Sequence, residues 1–418
     1  MKKLRAGALQ LVIFIVIIIA LILSSFIILL HTHKQFKLQT NHMIEMVKLT
    51  DKGIQYALTQ PVDLNKLTDV SLYGEDYKSL KVKKTFWGVF EQVTAKTELK
   101  SKTFSKIALV GSQQEEPKIS LYLKDNNYPL VVVGDTKIEG LVYLPKRGVK
   151  TGHISGHSYY GSTLVNGKIL VSQQFPKLKD DLITHIESLI ALPPYNQNTT
   201  EFLNLESTKK QTNSFNNSML LAYSDADIIL HDIELCGHIV VRSDTKISVH
   251  ETAKLNDVIL IAPIINILNS FEGTLQAFAS QSITVSENVI LDYPSSLVLF
   301  KDFSAEKENE AHVLEMKPTS KVKGSVLCLG KTSNINYDVQ LRIDTDAEIE
   351  GEVYCEQNME LKGHVFGTVY AKNFIVKNKG TTYQNHLYNA EININKLTKQ
   401  FVGAPSETSK KKIAKWLY

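Results

Sequence analysis

The chain has 418 residues, 43% of them hydrophobic and 22% charged, a composition that argues against wholesale disorder and has room for two or three domains. Its 47 Lys and Arg stand against 43 Asp and Glu, a net of +4, which gives no reason to invoke nucleic acid as a partner. Three cysteines, Cys236, Cys328 and Cys355, build no disulfide framework and do not fall at zinc-ligand spacing. Beside Leu235, Leu327 and Tyr354 they read as buried small hydrophobes, and Cys328 meets Cys355 only if the chain stacks them.

Residues 1–10 form a basic leader with Lys2, Lys3 and Arg5, and the run Leu11–Leu30 that follows is interrupted only by Ser24 and Ser25. Twenty helical residues span about 30 Å, the thickness of a hydrocarbon core, so this is a transmembrane helix with the lipid bilayer as its first partner. No Asp or Glu precedes Glu45. The basic leader therefore places the N-terminus in the cytoplasm and residues 31–418 outside, in a single-pass topology. A cleaved secretory signal would have a shorter apolar run and small residues after it, whereas His31-Thr32-His33-Lys34 follows here, with the two histidines at the interface. Residues 31–60 continue as an amphipathic helix with Phe36, Met43, Val47, Ile54 and Leu58 near helical spacing, until Gln60-Pro61 ends it.

Lys2, Lys3, Arg5 and Gly7, followed by Ala8-Leu9-Gln10-Leu11-Val12 and the long apolar helix, resemble the start of type IV pilins and pseudopilins, the minor pilins among them. The resemblance covers about the first 60 residues. It implies a bacterial inner membrane, cleavage by a peptidase between Gly7 and Ala8, packing of the helix into a filament, and other pilin-like or envelope proteins as partners. The family usually carries Glu at the fifth position after the glycine, where this chain has Val12.

Residues 61–135 read as a β-rich region, with Val82, Phe86, Val89, Phe90 and Val93 among polar residues and turns at Gly111 and Asp125-Asn126-Asn127. Trp87, between Phe86 and Gly88, reads as core packing. The motif Ile138-Glu139-Gly140-Leu141-Val142 suggests a first coil over 136–219, ahead of an insertion. That insertion holds a helix over 177–192, with Leu178, Leu182, Ile186 and Leu189 on one face and Pro193-Pro194 as its stop. The Asn- and Thr-rich run that follows, up to Ser218, reads as a long exposed loop; its Asn198-Thr199-Thr200 and Asn216-Asn217-Ser218 triplets are assigned nothing.

The fold is carried by a repeat. Ile247, Ile265 and Ile283 are each 18 residues apart, and so are Val249, Ile267 and Val285; Ala253, Phe271 and Val289; and Val241, Ile259 and Ala277. The period is too short for paired-helix repeats, and alternation within each repeat is a strand signature. Stacked strands at this period describe a parallel β-helix over 220–385, with the Ile and Val columns as its inward ladder. Gly324, Gly351 and Gly367 share the template apolar-x-Gly-x-Val, Leu341 and Ile343 recur as Met359 and Leu361, and residues 301–320 form a charged excursion. Residues 386–418 read as a basic tail with an aromatic end. These coils resemble the bactofilins, which are polymer-forming β-helical proteins, and more loosely the β-helices of bacterial surfaces. The expected fold class is mainly β: an N-terminal transmembrane helix, a β-rich region and a parallel β-helix with a helical insertion.

Many β-helical proteins cleave polysaccharides, which takes carboxylates grouped on one face. The best local group is Asp344 and Asp346 with Glu348, Glu350 and Glu352, and it reads as a solvated turn and outer strand face. Only Arg242 and Arg342 follow Arg147 in the arginine series, few for clamping uronates. His238 and His250 have no carboxylate or Cys at ligand spacing. No catalytic residue, metal or cofactor is assigned. The expected function is a membrane-anchored envelope protein with a structural, adhesive or minor-pilin-like role, touching envelope proteins or glycan. The competing class is a membrane-tethered polysaccharide lyase or hydrolase.

Overall fold

The computed structural model describes residues 6–71, 78–191, 201–300, 312–330, 337–407 and 409–417. The leader residues Lys2, Lys3 and Arg5, the Pro193-Pro194 stop, the Asn198-Thr199-Thr200 triplet and the charged stretch 301–311 lie outside them. The protein is mainly β, with one long N-terminal helix and a large array of parallel strands. It divides into two compact units, residues 1–83 with 94–106, and residues 84–93 with 107–418.

The first unit is built on α1, Ala6–Thr59, a single helix of 54 residues and thus about 80 Å long. Its first half is bare: Leu11 is 61% exposed and Ile27 67%. Its second half is docked through Met46, Leu49, Thr50, Gly53, Ile54 and Ala57. The docking surface belongs to strands β1 (Leu67–Asp69), β2 (Lys78–Trp87), β3 (Phe90–Leu99) and β4 (Lys102–Gln113), hydrogen-bonded in that order. The far ends of β2, β3 and β4 belong to the second unit.

The buried face differs from the apolar stripe expected from sequence, since Phe36 and Met43 are exposed. Gly53 is the reason for close approach. A Cβ there would lie 2.9 Å from the Ala95 Cβ and 2.9 Å from a Leu80 methyl. Thr50 is buried at no hydrogen-bonding cost, because its hydroxyl donates to the Met46 carbonyl at 2.7 Å and meets the Thr97 hydroxyl at 2.9 Å. A hydropathy stripe counts both residues as off-face.

The second unit is a stack of coils whose strands pair in parallel with those of the next coil. One inward ladder runs Ile228, Ile247, Ile265, Ile283, Leu314, Leu341, Met359 and Phe374. A second runs Ala222, Val241, Leu260, Ala277, Leu297, Val326, Val353 and Val369, then continues into Leu121 and Val142. All of these side chains belong to one buried core. The strand Val313–Met316, inside the expected excursion, is itself a rung.

The jump from Val369 to Leu121 corrects the expected order. Coil strands begin at Ile119 and end at Asn393, and the Gly140 motif belongs to coils stacked beyond the last ones, not before the first. The chain starts one end of the stack, crosses to the other through residues 172–200, and returns coil by coil. The Asn- and Thr-rich run is part of the first coil at that other end: Glu201–Phe202 and Lys210–Asn213 pair with Leu220–Leu221 and Glu234–Gly237. The basic tail is likewise a strand, Lys410–Leu417, antiparallel to β4.

One 18-residue column also needs correction. Val241 stands beside Leu260, not Ile259, and Leu260 stands beside Ala277. The register shifts between Asn256 and Val258, where Asp257 takes a φ of 61°, so one extra residue turns Ile259 outward. Ile259 is still buried, because the outer side of this face is itself covered. Trp87, Val89 and Phe90 cover it, together with Leu178 and with Leu182 and Ile186 of α2 (Asp180–Ile190).

Candidate functional site

The covered outer face carries a column that changes character along the stack. Ile261, Phe278, Val298 and Leu327 give way to Tyr354, Tyr370, Tyr122 and Tyr143. In-register residues of a parallel sheet lie about 4.8 Å apart, which suits ring stacking. Tyr122 and Tyr143 are stacked at 5.0 Å, and Phe175 packs edge-on against Tyr122 at 6.0 Å. Residues 173–176 run over this column and are tied to it. Tyr122 donates to the Gln174 carbonyl at 2.7 Å and accepts from the Gln173 amide at 2.9 Å, and Tyr354 donates to the Pro176 carbonyl at 2.9 Å.

Beside the tyrosines is a small crevice lined by Ser112, Gln114, Glu352, Tyr354, Tyr370 and Ser406. The Glu352 carboxylate accepts from the Ser325 hydroxyl at 2.8 Å and from the Ala404 amide, and it sits against Gly403, where a Cβ would strike its oxygen. Burial pushes its carboxyl above the ordinary range, against the opposing pull of Ala404 and Ser325. Burial likewise raises Tyr354 and Tyr370. The Gln114 amide donates to the Tyr370 oxygen at 2.8 Å and the Thr368 hydroxyl at 3.0 Å. Glu352 is the one carboxylate in the crevice lining, and hydrolysis of a glycoside by paired acids needs two. The crevice does the work of a seam: its polar groups are spent holding residues 173–176 and 401–406 to the coils.

The other sequence candidates lie apart from it. Asp344 and Asp346 flank a turn, not an extended segment: Asp346 takes a φ of 61° and Asp344 accepts from the Thr345 amide at 3.0 Å. Many carboxylates of the coils are matched by cations on neighbouring rungs. Along one outer column Lys210 stands beside Glu234, Glu234 beside Lys254, Lys321 beside Glu348, His364 beside Glu391, and Glu391 beside Lys137. Arg342 bridges Glu315 at 3.0 Å and Glu360 at 3.2 Å. His238 packs on Trp87 and Phe215, and His250 meets the Thr252 hydroxyl at 3.2 Å. Among the described residues no group of three or more His, Cys, Asp or Glu is placed to hold a metal.

Gly7 and Ala8 lie exposed in the first turns of α1. Ile247, Ile265 and Ile283 are stacked in register, as are Val249, Ile267 and Val285, and all six are fully buried. Two polar anchors of the cover carried no sequence signal. The Gln276 side chain accepts from the Val89 amide at 2.8 Å and donates to the Trp87 carbonyl at 3.2 Å, gripping the turn at Gly88. Glu91 pairs with Lys179 at 3.1 Å and Lys411 at 2.9 Å. Burial alone would raise its carboxyl, but the two ammonium groups more than offset this and hold it below the usual range.

The cover also contains a pH-sensitive group. His185 of α2 stacks on Phe86 at 4.9 Å, and its Nε2 has no hydrogen-bond partner among the described residues. Burial lowers its pKa to about 4. Above its unfolded value, near 6.5, both states are neutral and stability is complete. As pH falls from 6.5 toward 4 only the unfolded state takes up the proton, and up to about 3 kcal/mol is lost. Denaturant titrations at pH 7 and pH 4.5 are expected to show a smaller drop for His185→Phe than for the parent. An equal drop contradicts the assignment.

No family model matches the chain, and neither does any curated protein. Among solved structures the competence-associated pilin ComZ of Thermus thermophilus is similar at 11% identity and a TM-score of 0.18, over 85% of this chain and 86% of that one. A score so low establishes no shared fold.

Proposed function

We propose that this protein is a single-pass envelope protein, held in the inner membrane by the first half of α1, with its β-helical unit outside the cytoplasm. Its role is structural or adhesive, in the manner of a minor pilin of a secretion or pilus system. The observation that carries this reading is the division of labour along α1. Residues 11–30 are apolar and bare, while residues 46–57 are docked on the protein's own sheet. A bare apolar segment of that length needs lipid or other apolar helices around it, and it is the one helix among the described residues long and apolar enough to cross a membrane. The coils support a scaffold role, since their carboxylates are largely matched by cations of adjacent rungs and the seam on their covered face is filled by the chain itself.

The resemblance of Gly7-Ala8 and its surroundings to a pilin leader makes the sharper form testable. In cells that carry a prepilin-type peptidase, mass spectrometry of the mature chain is expected to find Ala8 at the N-terminus. A chain that still begins at Met1 removes the pilin-like role, and one that begins near His33 makes the segment a secretory signal.

A further inference from the structure

Cys328 and Cys355 occupy the same position on adjacent coils. They are direct partners in the parallel ladder, between Leu327–Tyr354 and the inward pair Val326–Val353. Both side chains point into the core and both are fully buried. Partners of this kind have Cα atoms about 4.8 Å apart, inside the roughly 4.4–6.8 Å range that a disulfide accepts. The two thiols are hydrogen-bonded to each other, and that contact together with burial raises Cys328 far above its ordinary range. Cys236 lies on a different face, two-residue steps away from any other cysteine rung, and stands beside Thr212 and Asn256.

We infer that Cys328 and Cys355 are an inter-coil disulfide site, oxidised while the coils assemble outside the cytoplasm. The inference rests on the outward placement proposed above, because a reducing compartment keeps both residues as thiols. The chemistry requires a disulfide-bearing oxidant, either a small-molecule disulfide or an exported dithiol oxidase. One thiolate attacks the oxidant's S–S bond and forms a mixed disulfide. The second thiolate then displaces the oxidant's remaining sulfur. The pair loses two electrons and two protons, and the oxidant leaves as two thiols. The step belongs to folding: once the coils close, neither thiol reaches solvent, and the suppressed ionisation removes the nucleophile. The bond then clamps two coils across the chain's excursion between residues 329 and 341, where the ladder has no strand to contribute.

The test uses the full chain, extracted from membranes with thiols trapped by N-ethylmaleimide under denaturing conditions and digested without reduction. The expected result is one linked peptide holding Cys328 and Cys355, two mass units (two hydrogens) below the sum of its parts, with Cys236 alkylated. In a second arm the reduced, denatured chain is refolded in a glutathione redox buffer, where the same linkage is expected. Bridging on refolding combined with free thiols in cell-derived protein overturns the outward placement and leaves the pairing intact. Free Cys328 and Cys355 in both arms, with the refolded chain protease-resistant, overturn the disulfide site.

Discussion

Ile265→Asp is expected to destabilise the coils by about 4 kcal/mol or more, while Asn266→Asp changes stability by no more than about 0.5 kcal/mol. The two residues are neighbours in one strand and face opposite ways. Ile265 stands between Ile247 and Ile283 in the buried ladder, so a carboxylate there has no water, donor or cation to meet it. Asn266 stands between Ser248 and Thr284 on the outer side and keeps contact with solvent. Thermal unfolding and limited proteolysis of the detergent-solubilised chain compare the two. Equal tolerance would mean that the register is wrong by one residue.

Gly351→Ala is expected to cost about 3 kcal/mol or more, out of proportion to one methyl group. Gly324, Gly351 and Gly367 are stacked in register at a bend of the coils. Gly351 has a φ of 154°, and a Cβ there would lie 1.9 Å from the Gly324 carbonyl oxygen. That obstacle is backbone held in a ladder, so it has nowhere to go. Gly148 is the control. Its φ of 67° is left-handed, but nothing lies within 4 Å of its Cβ position. Gly148→Asn is therefore expected to stay within about 1 kcal/mol, since Asn tolerates that conformation. Denaturant midpoints for the two variants decide the matter; similar losses at both sites would remove the steric explanation.

What could be read from the sequence follows from which contacts are periodic. Ile247, Ile265 and Ile283 are legible because no residue is inserted between their rungs. The same ladder goes on to Leu314 and Leu341, but irregular excursions separate those rungs in the chain and hide the period. The Asp257 bulge shifts Val241 onto Leu260 without disturbing the apolar pattern, so the slip cannot be seen from hydropathy alone. Stacking of residues 119–144 on the last coils is a contact between distant parts of the chain, and nothing local encodes it. The strand Lys410–Leu417 is disguised by its charge. Lys410, Lys411 and Lys415 read as a solvated tail, yet they pair with Glu115, Glu91 and Asp257. Glu352 was visible only as one member of an acidic run, whereas its setting under Gly403 is purely tertiary.

The position of the folded units relative to the membrane decides between this account and its rivals. A reporter that folds only outside the cytoplasm, fused after Tyr418, is predicted to be active in intact cells and to fractionate with the membrane, and deletion of residues 1–30 is predicted to abolish that activity. An active reporter in the cytoplasm, fused to the same residue of the full chain, would contradict the placement of the β-helical unit outside.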